Sequence, residues 1–143
     1  MSTADGGRVK IGLDYWNTCS AYPGYFRWLA EATLTAGGEV HVISAIGRSR
    51  QGTVAREIAR LAIPATAVHE VIFSHPRESP ELKTAAALAL GISVFYDDRD
   101  DVCRVMTATG KILALRVTRA GQGSDLTAER RPGQQDKDQE TRA

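Results

Sequence analysis

Five short apolar runs alternating with four segments of helical character predict a three-layer α/β domain, a parallel five-stranded sheet with helices on both faces. The size agrees. The chain has 143 residues, 43% of them hydrophobic, and one domain typically takes about 100 to 200 residues. Glycines fall where three of the four helical patterns run out, which is where helix terminators belong.

Residues 9–14 form the first apolar run, of the kind a buried parallel strand shows, and residues 39–45, 67–74, 92–97 and 111–117 repeat it. After the first strand, residues 23–36 place Phe26, Leu29, Ala30 and Thr33 on one side of a helix that stops at Gly37 and Gly38. Residues 53–61 carry Val54, Ile58 and Leu61 at spacings of four and three. Ser79 is expected to cap a helix that starts at Pro80, turns Leu82, Ala86 and Ala89 inward and ends at Gly91. Residues 100–108 form a last short helix closed by Gly110. The domain is thus expected over residues 9–120, after a flexible N-terminus over residues 1–8. Residues 121–143 hold Leu126 as their only large aliphatic side chain and balance their charges. Such a polar tail cannot repay its ordering entropy and is expected to be disordered.

Composition excludes several classes. With 18 Lys and Arg against 17 Asp and Glu, the net charge of +1 offers no global field for nucleic acid or anionic lipid. The longest uncharged apolar stretch, residues 85–96, is shorter than the roughly 20 residues a membrane helix needs. Residues 1–7 lack the parts of a secretory signal, so the expected compartment is the cytoplasm. Cys19 and Cys103 have neither disulfide-framework nor zinc spacing and are expected as buried thiols.

In a parallel sheet the ligand site lies beyond the carboxyl ends of the strands. The first predicted strand ends in Asp14, the second near Ser44 and the fourth in Asp97 and Asp98, while Lys83 opens the helix leading into the fourth. Leu13-Asp14-Tyr15-Trp16-Asn17-Thr18, Val42-Ile43-Ser44, Lys83 and Val94 to Asp101 resemble, in order and spacing, the four motifs of the haloacid dehalogenase-like hydrolase superfamily. The resemblance covers about residues 9–117. It implies a Rossmann-like sheet ordered 3-2-1-4-5, a magnesium ion and an aspartyl-enzyme intermediate. Only residues 19–22 separate the first motif from its helix, so it implies a member without a cap domain.

Each residue type has a chemical reason to be present. A carboxylate at a central strand end can attack phosphorus and split hydrolysis into two displacements, which makes Asp14 the candidate nucleophile. A hydroxyl and an ammonium, Ser44 and Lys83, suit the charge on phosphoryl oxygens. Four acids within five residues, Asp97, Asp98, Asp100 and Asp101, repel one another unless a cation shares them. Mg²⁺ held by Asp14 and Asp97, with Asp98 or Asp101 orienting a bound water, meets that need. The resemblance adds the backbone carbonyl of Trp16 as a further metal ligand.

The pattern breaks at Trp16. Phosphatases of the superfamily carry a second Asp there, as general acid and base, and indole has no proton at a useful pKa. One reading is a magnesium-dependent phosphatase of a small phosphorylated molecule or nucleotide, weakened by Trp16 and confined to good leaving groups. A halide-releasing variant is disfavoured because those members carry a cap and bind no metal. The alternative is a catalytically inactive binding or interaction module on the same scaffold. A protein partner that closes the open site is compatible with either. Other residues carry less: His75 as a substitute acid is a loop residue by default, and His41 and His69 fall inside strands with no partner at ligand spacing. Tyr15, Trp16, Tyr22, Tyr25, Phe26 and Trp28 read as core and helix packing or as a stacking wall. Arg48 and Arg50 are solvated or contact a second phosphate.

Overall fold

The order of strands is β3-β2-β1-β4-β5, every neighbour parallel. The computed structural model describes residues 7–120; the expected disorder of the 121–143 tail and most of the expected flexible N-terminus lie outside the described residues. The strands are β1 (Lys10–Leu13), β2 (Glu39–Gly47), β3 (Ala67–Phe73), β4 (Val94–Asp97) and β5 (Leu113–Arg116). The helices are α1 (Pro23–Thr35), α2 (Thr53–Arg60), α3 (Ser79–Leu90) and α4 (Asp100–Ala108). This is the predicted Rossmann-like α/β fold.

Right-handed crossovers dictate the layering. From β1 the chain steps outward through β2 to β3, then returns past β1 to β4 and β5, so α1 and α2 cover one face and α3 and α4 the other. Strand alternation supplies both cores. Ile11, Leu13, Val40, Val42 and Ile46 meet Phe26, Ala30, Val54 and Ile58 on the α1–α2 face. On the opposite face Ile43 and Phe95 meet Ala87, Val102 and Met106. Gly12 lets β1 pass the Phe95 ring, since a Cβ there would lie 2.3 Å from Phe95 Cδ2. Gly91 ends α3 at φ 75°, a conformation glycine adopts without strain.

Several expectations are corrected. β2 continues to Gly47, beyond the expected end near Ser44, because β3 pairs with it as far as Phe73. Ser79 is not the cap of α3: residues Pro76–Glu78 form a tight turn before it, and His75 Nδ1 accepts from Arg77 N–H at 3.1 Å. Glu78 Oε1 accepts from the N–H groups of Ser74 and His75 at 2.8 and 2.6 Å, completing a reciprocal cap. The inner face of α3 is Ser79, Pro80, Lys83, Thr84 and Ala87, whereas Ala89 is exposed and Leu82 and Ala86 are half-buried. The apolar pattern misleads because the first turns of this helix face a polar site.

His41 and His69 do have partners. His41 Nδ1 lies 2.9 Å from His69 Nε2, the rings stack, and His41 Nε2 lies 2.8 Å from Glu39 Oε1. Burial and the neighbouring His41 lower the pKa of His69. This chain sits at the amino ends of β2 and β3, away from Asp14. Cys19 and Cys103 are buried free thiols, as expected, and burial pushes the Cys103 thiol up to about 12. No helix among the described residues is long and apolar enough to cross a membrane.

Candidate active site

Strand order reverses between β1 and β4, which places a crevice at their carboxyl ends. Leu13 pairs with Tyr96, and the Asp14 N–H donates to the Tyr96 carbonyl at 2.9 Å, so Asp14 and Asp97 leave adjacent strands side by side. Gly12 and Phe95 face α3 and α4, and by alternation so do Asp14 and Asp97. Lys83 reaches them from the second turn of α3. Its Nζ donates to Asp14 Oδ1 at 2.8 Å and to Asp97 Oδ2. All three side chains are at least 97% buried.

The carboxylates of Asp14, Asp97 and Asp98 converge, with one oxygen from each lying within 4.8 Å of the others. Burial raises the pKa of Asp97, and the charge of Asp14 adds to it, while Lys83 and the Arg99 N–H at 2.9 Å act in the opposite direction. Burial alone would lower the pKa of Lys83. The charges of Asp14 and Asp97 outweigh it, so the pKa is raised and the ammonium persists. Three converging carboxylates, two of them bonded to one ammonium and all withdrawn from water, form an electron-rich donor set of hard oxygens suited to a small divalent cation.

Beyond Asp14 the backbone makes a wide turn, with Cys19 N–H donating to the Asp14 carbonyl at 3.3 Å and Ser20 N–H to that of Tyr15 at 3.0 Å. Asn17 takes the left-handed conformation, φ 60°, which asparagine tolerates better than most residues. The turn returns the Thr18 hydroxyl to Asp14 Oδ2 at 3.3 Å. It also sets Trp16 in the wall of a narrow cleft lined by Asp14, Lys83, Ser79 and Arg99, with Ala45, Phe73 and Pro76 as its apolar side. The cleft interior is about 10 Å³, room for roughly one water.

Two of the expected site residues lie elsewhere. Ser44 falls between Val42 and Ile46 on the α1–α2 face and pairs in register with Glu70. It is fully buried, and its hydroxyl has no hydrogen-bond partner among the described residues. Ser44→Ala is therefore expected to leave stability unchanged or to raise it by up to about 1 kcal/mol, because the substitution removes an unsatisfied buried hydroxyl. Urea denaturation measures this, and a loss above about 1 kcal/mol would mean that the hydroxyl does have a partner. Asp101 is half-exposed in the first turn of α4, where its carboxylate accepts from Arg99 Nε at 3.0 Å and Nη2 at 2.5 Å and from Val102 N–H at 2.9 Å. That position turns it outward, so Asp98 rather than Asp101 joins the cluster.

Ser79 is the residue that sequence reading missed. It is 2% exposed, lines the cleft, and its hydroxyl has no partner among the described residues. The signal was its spacing of four from Lys83, which puts both on one face of α3. The indole N–H of Trp16 is likewise buried without an acceptor among the described residues. The aromatic cluster divides: Tyr15 and Phe26 pack in the core, whereas Tyr22, Tyr25 and Trp28 are exposed. Burial, reinforced by the Glu57 carboxylate 3.0 Å from its hydroxyl, raises the pKa of Tyr15 to about 12.

Fold and site together define a Rossmann-like α/β domain with a buried carboxylate and ammonium cluster at its switch point. No family model and no curated protein matches the chain. Among solved structures it is similar to chains of the Pnkp1/Rnl/Hen1 complex and of the Pnkp1/Rnl/Hen1 RNA repair complex. Each gives a TM-score of 0.61 at 13% identity, covering 79% of this chain and 47% and 43% of those chains. This chain therefore spans less than half the length of either. An uncharacterized protein from Corynebacterium glutamicum ATCC 13032 Kitasato is similar at a TM-score of 0.55 and 16% identity, covering 84% of this chain and 93% of that one. At these identities the likeness is one of fold.

Proposed function

We propose that the chain is a magnesium-dependent phosphoric monoester hydrolase of the haloacid dehalogenase-like type, acting through an aspartyl-phosphate on Asp14. One observation carries this reading: Asp14, Asp97 and Asp98 converge with Lys83 at the β1–β4 switch point. The resemblance of the first, third and fourth motifs, whose residues Asp14, Lys83, Asp97 and Asp98 meet here, supports it, and the likeness of fold to chains of an RNA repair complex is compatible with it.

Asp14, Asp97 and Asp98, with the Trp16 carbonyl, would hold Mg²⁺, whose charge offsets the repulsion between carboxylate and phosphate. A carboxylate oxygen of Asp14 forms the bond to phosphorus as the ester oxygen departs with its electron pair, and water then attacks the same phosphorus, releasing phosphate and restoring the carboxylate. Thr18 orients Asp14 through its hydroxyl. Lys83 holds positive charge against the phosphoryl oxygens, and the hydroxyl of Ser79 and indole N–H of Trp16 donate to them. Ser79 takes here the part that the motif pattern gives to Ser44.

Trp16 donates a hydrogen bond but no proton, so the reaction favours leaving groups that are stable as anions, such as aryl and acyl phosphates. Trp16→Asp is expected to raise hydrolysis of an alkyl phosphate about tenfold or more and that of an aryl phosphate much less, because an alkoxide gains most from protonation. Circular dichroism first establishes that the variant folds. If the folded variant hydrolyses neither ester faster, the remaining residues are not poised for this reaction. The binding-module reading, favoured by Trp16 at the acid position, then replaces it. Calorimetric titration tests the metal: Mg²⁺ binding that survives Asp14→Asn combined with Asp97→Asn contradicts the assigned ligands.

A further inference from the structure

A second, larger cavity adjoins the narrow cleft. It measures about 600 Å³ and lies between the loops that follow β2 and β3, lined by Arg48, Ser49 and Arg50 on one side and Phe73, Ser74 and Pro76 on the other. Phe73 and Pro76 also line the cleft that holds Asp14 and Lys83. The two spaces share a wall. The groove falls in the range of about 300–1,000 Å³ typical of ligand pockets, whereas the cleft, about 10 Å³, is too small to enclose a phosphate, which would meet Asp14 and Lys83 at its mouth.

The groove is locally cationic in a chain whose net charge is only +1. Arg48 is exposed and forms no ion pair among the described residues, whereas Arg50 is half-buried and has a partner of its own, so Arg48 is the primary anion donor. Two carboxylates stand on the strands and turns nearby, and each accepts from backbone N–H groups. Glu70 accepts from the N–H groups of Gly52 and Val54 at 2.7 and 3.0 Å, at the start of α2. Glu78 accepts from those of Ser74 and His75. Guanidinium groups and serine hydroxyls are donors, and the anion they match best is a phosphate, which Arg engages through paired N–H groups.

We propose that this groove is a second anion site, which binds a further phosphate of the substrate while the first sits at the mouth of the cleft against Asp14 and Lys83, so that doubly phosphorylated esters are preferred over singly phosphorylated ones. The preference rests on the hydrolase reading, but the groove's affinity for phosphate does not. A nucleoside 3′,5′-bisphosphate and an oligonucleotide bearing a terminal phosphate both supply this chemistry.

The test compares kcat/KM for a nucleoside 3′,5′-bisphosphate and for the two corresponding monophosphates, in wild type and in Arg48→Ala/Arg50→Ala. Wild type is expected to favour the bisphosphate about tenfold or more, since hydrogen bonds to charged groups carry that much discrimination. The double variant is expected to bring the ratio to about two or less. Arg104→Ala, which removes a positive charge from exposed α4, is expected to leave it intact. A wild-type ratio near one, or a ratio that survives the double variant, overturns the proposal. A terminally phosphorylated oligonucleotide forms the second arm, and the larger arginine-dependent ratio identifies the source of the phosphate. If wild type turns over no ester at all, the hydrolase reading has failed and calorimetry with chelator present decides the groove alone. Tighter binding of the bisphosphate that is lost in Arg48→Ala/Arg50→Ala sustains the second site, and equal binding of bisphosphate and monophosphates refutes it.

Discussion

Lys83→Met is expected to destabilise the fold by about 3–5 kcal/mol, the range seen when one partner of a buried ion pair is removed. Methionine keeps the length and apolar stem of lysine, so the loss comes from charge rather than from a cavity. Without the ammonium, Asp14, Asp97 and Asp98 remain as three carboxylates within 4.8 Å of one another, all shielded from water. Burial and the charge of Asp14, no longer opposed by Lys83, then hold the folded-state pKa of Asp97 above its unfolded value, which makes the unfolded state the weaker proton binder. Stability of the variant therefore rises as pH falls toward that raised pKa, and the deficit against wild type is largest at neutral pH and above. Urea denaturation with a chelator present measures both, and adding Asp97→Asn is expected to recover part of the loss. A deficit below about 1 kcal/mol at neutral pH would mean that Lys83 is not the counter-charge the distances describe.

The fold was legible because its signals are local. Each strand is an apolar run, and Gly37, Gly91 and Gly110 mark where helices stop, with φ values of 87°, 75° and 70°. The site was legible in part for the same reason. Asp14, Asp97 and Asp98 stand out as acids that follow apolar runs, and parallel topology brings such strand ends together. Lys83 drew notice through its place at the start of the helix leading into β4 and through the motif resemblance, whereas an amphipathic reading of α3 turns Leu82, Ala86 and Ala89 inward and leaves the lysine in solvent. The actual burial of Ser79, Lys83, Thr84 and Ala87 answers to a polar neighbour that no local pattern announces. Ser79 was hidden by a second explanation, since a serine before Pro80 reads equally well as a cap. The true cap, His75 with Glu78, uses a residue type that capping rules do not favour. Ser44 went astray through a strand boundary: three more paired residues put it inside β2, on the face opposite Asp14. His41 and His69 lie in different strands, and their contact depends on the β2–β3 register, which pairs Ile43 with His69 and so offsets the two rings by two residues.

Removing the nucleophile gives the largest expected effect on activity. Asp14→Asn preserves the size and shape of the side chain and replaces a carboxylate with an amide that does not attack phosphorus. Loss of an attacking group typically costs about 10³-fold or more in turnover. The amide also reduces the negative charge facing Lys83 and Asp97, so the variant's fold is verified by its denaturation midpoint before its rate is read. The informative substrate is an aryl phosphate, whose leaving group needs no protonation and therefore does not register the missing acid at Trp16. The decisive measurement is aryl phosphate hydrolysis by wild type and Asp14→Asn, each with Mg²⁺ and with chelator. Wild type with Mg²⁺ is expected to hydrolyse the ester, and the other three conditions are expected to give about 10³-fold less. Equal rates for the folded Asp14→Asn variant and wild type in the presence of Mg²⁺ would contradict this expectation.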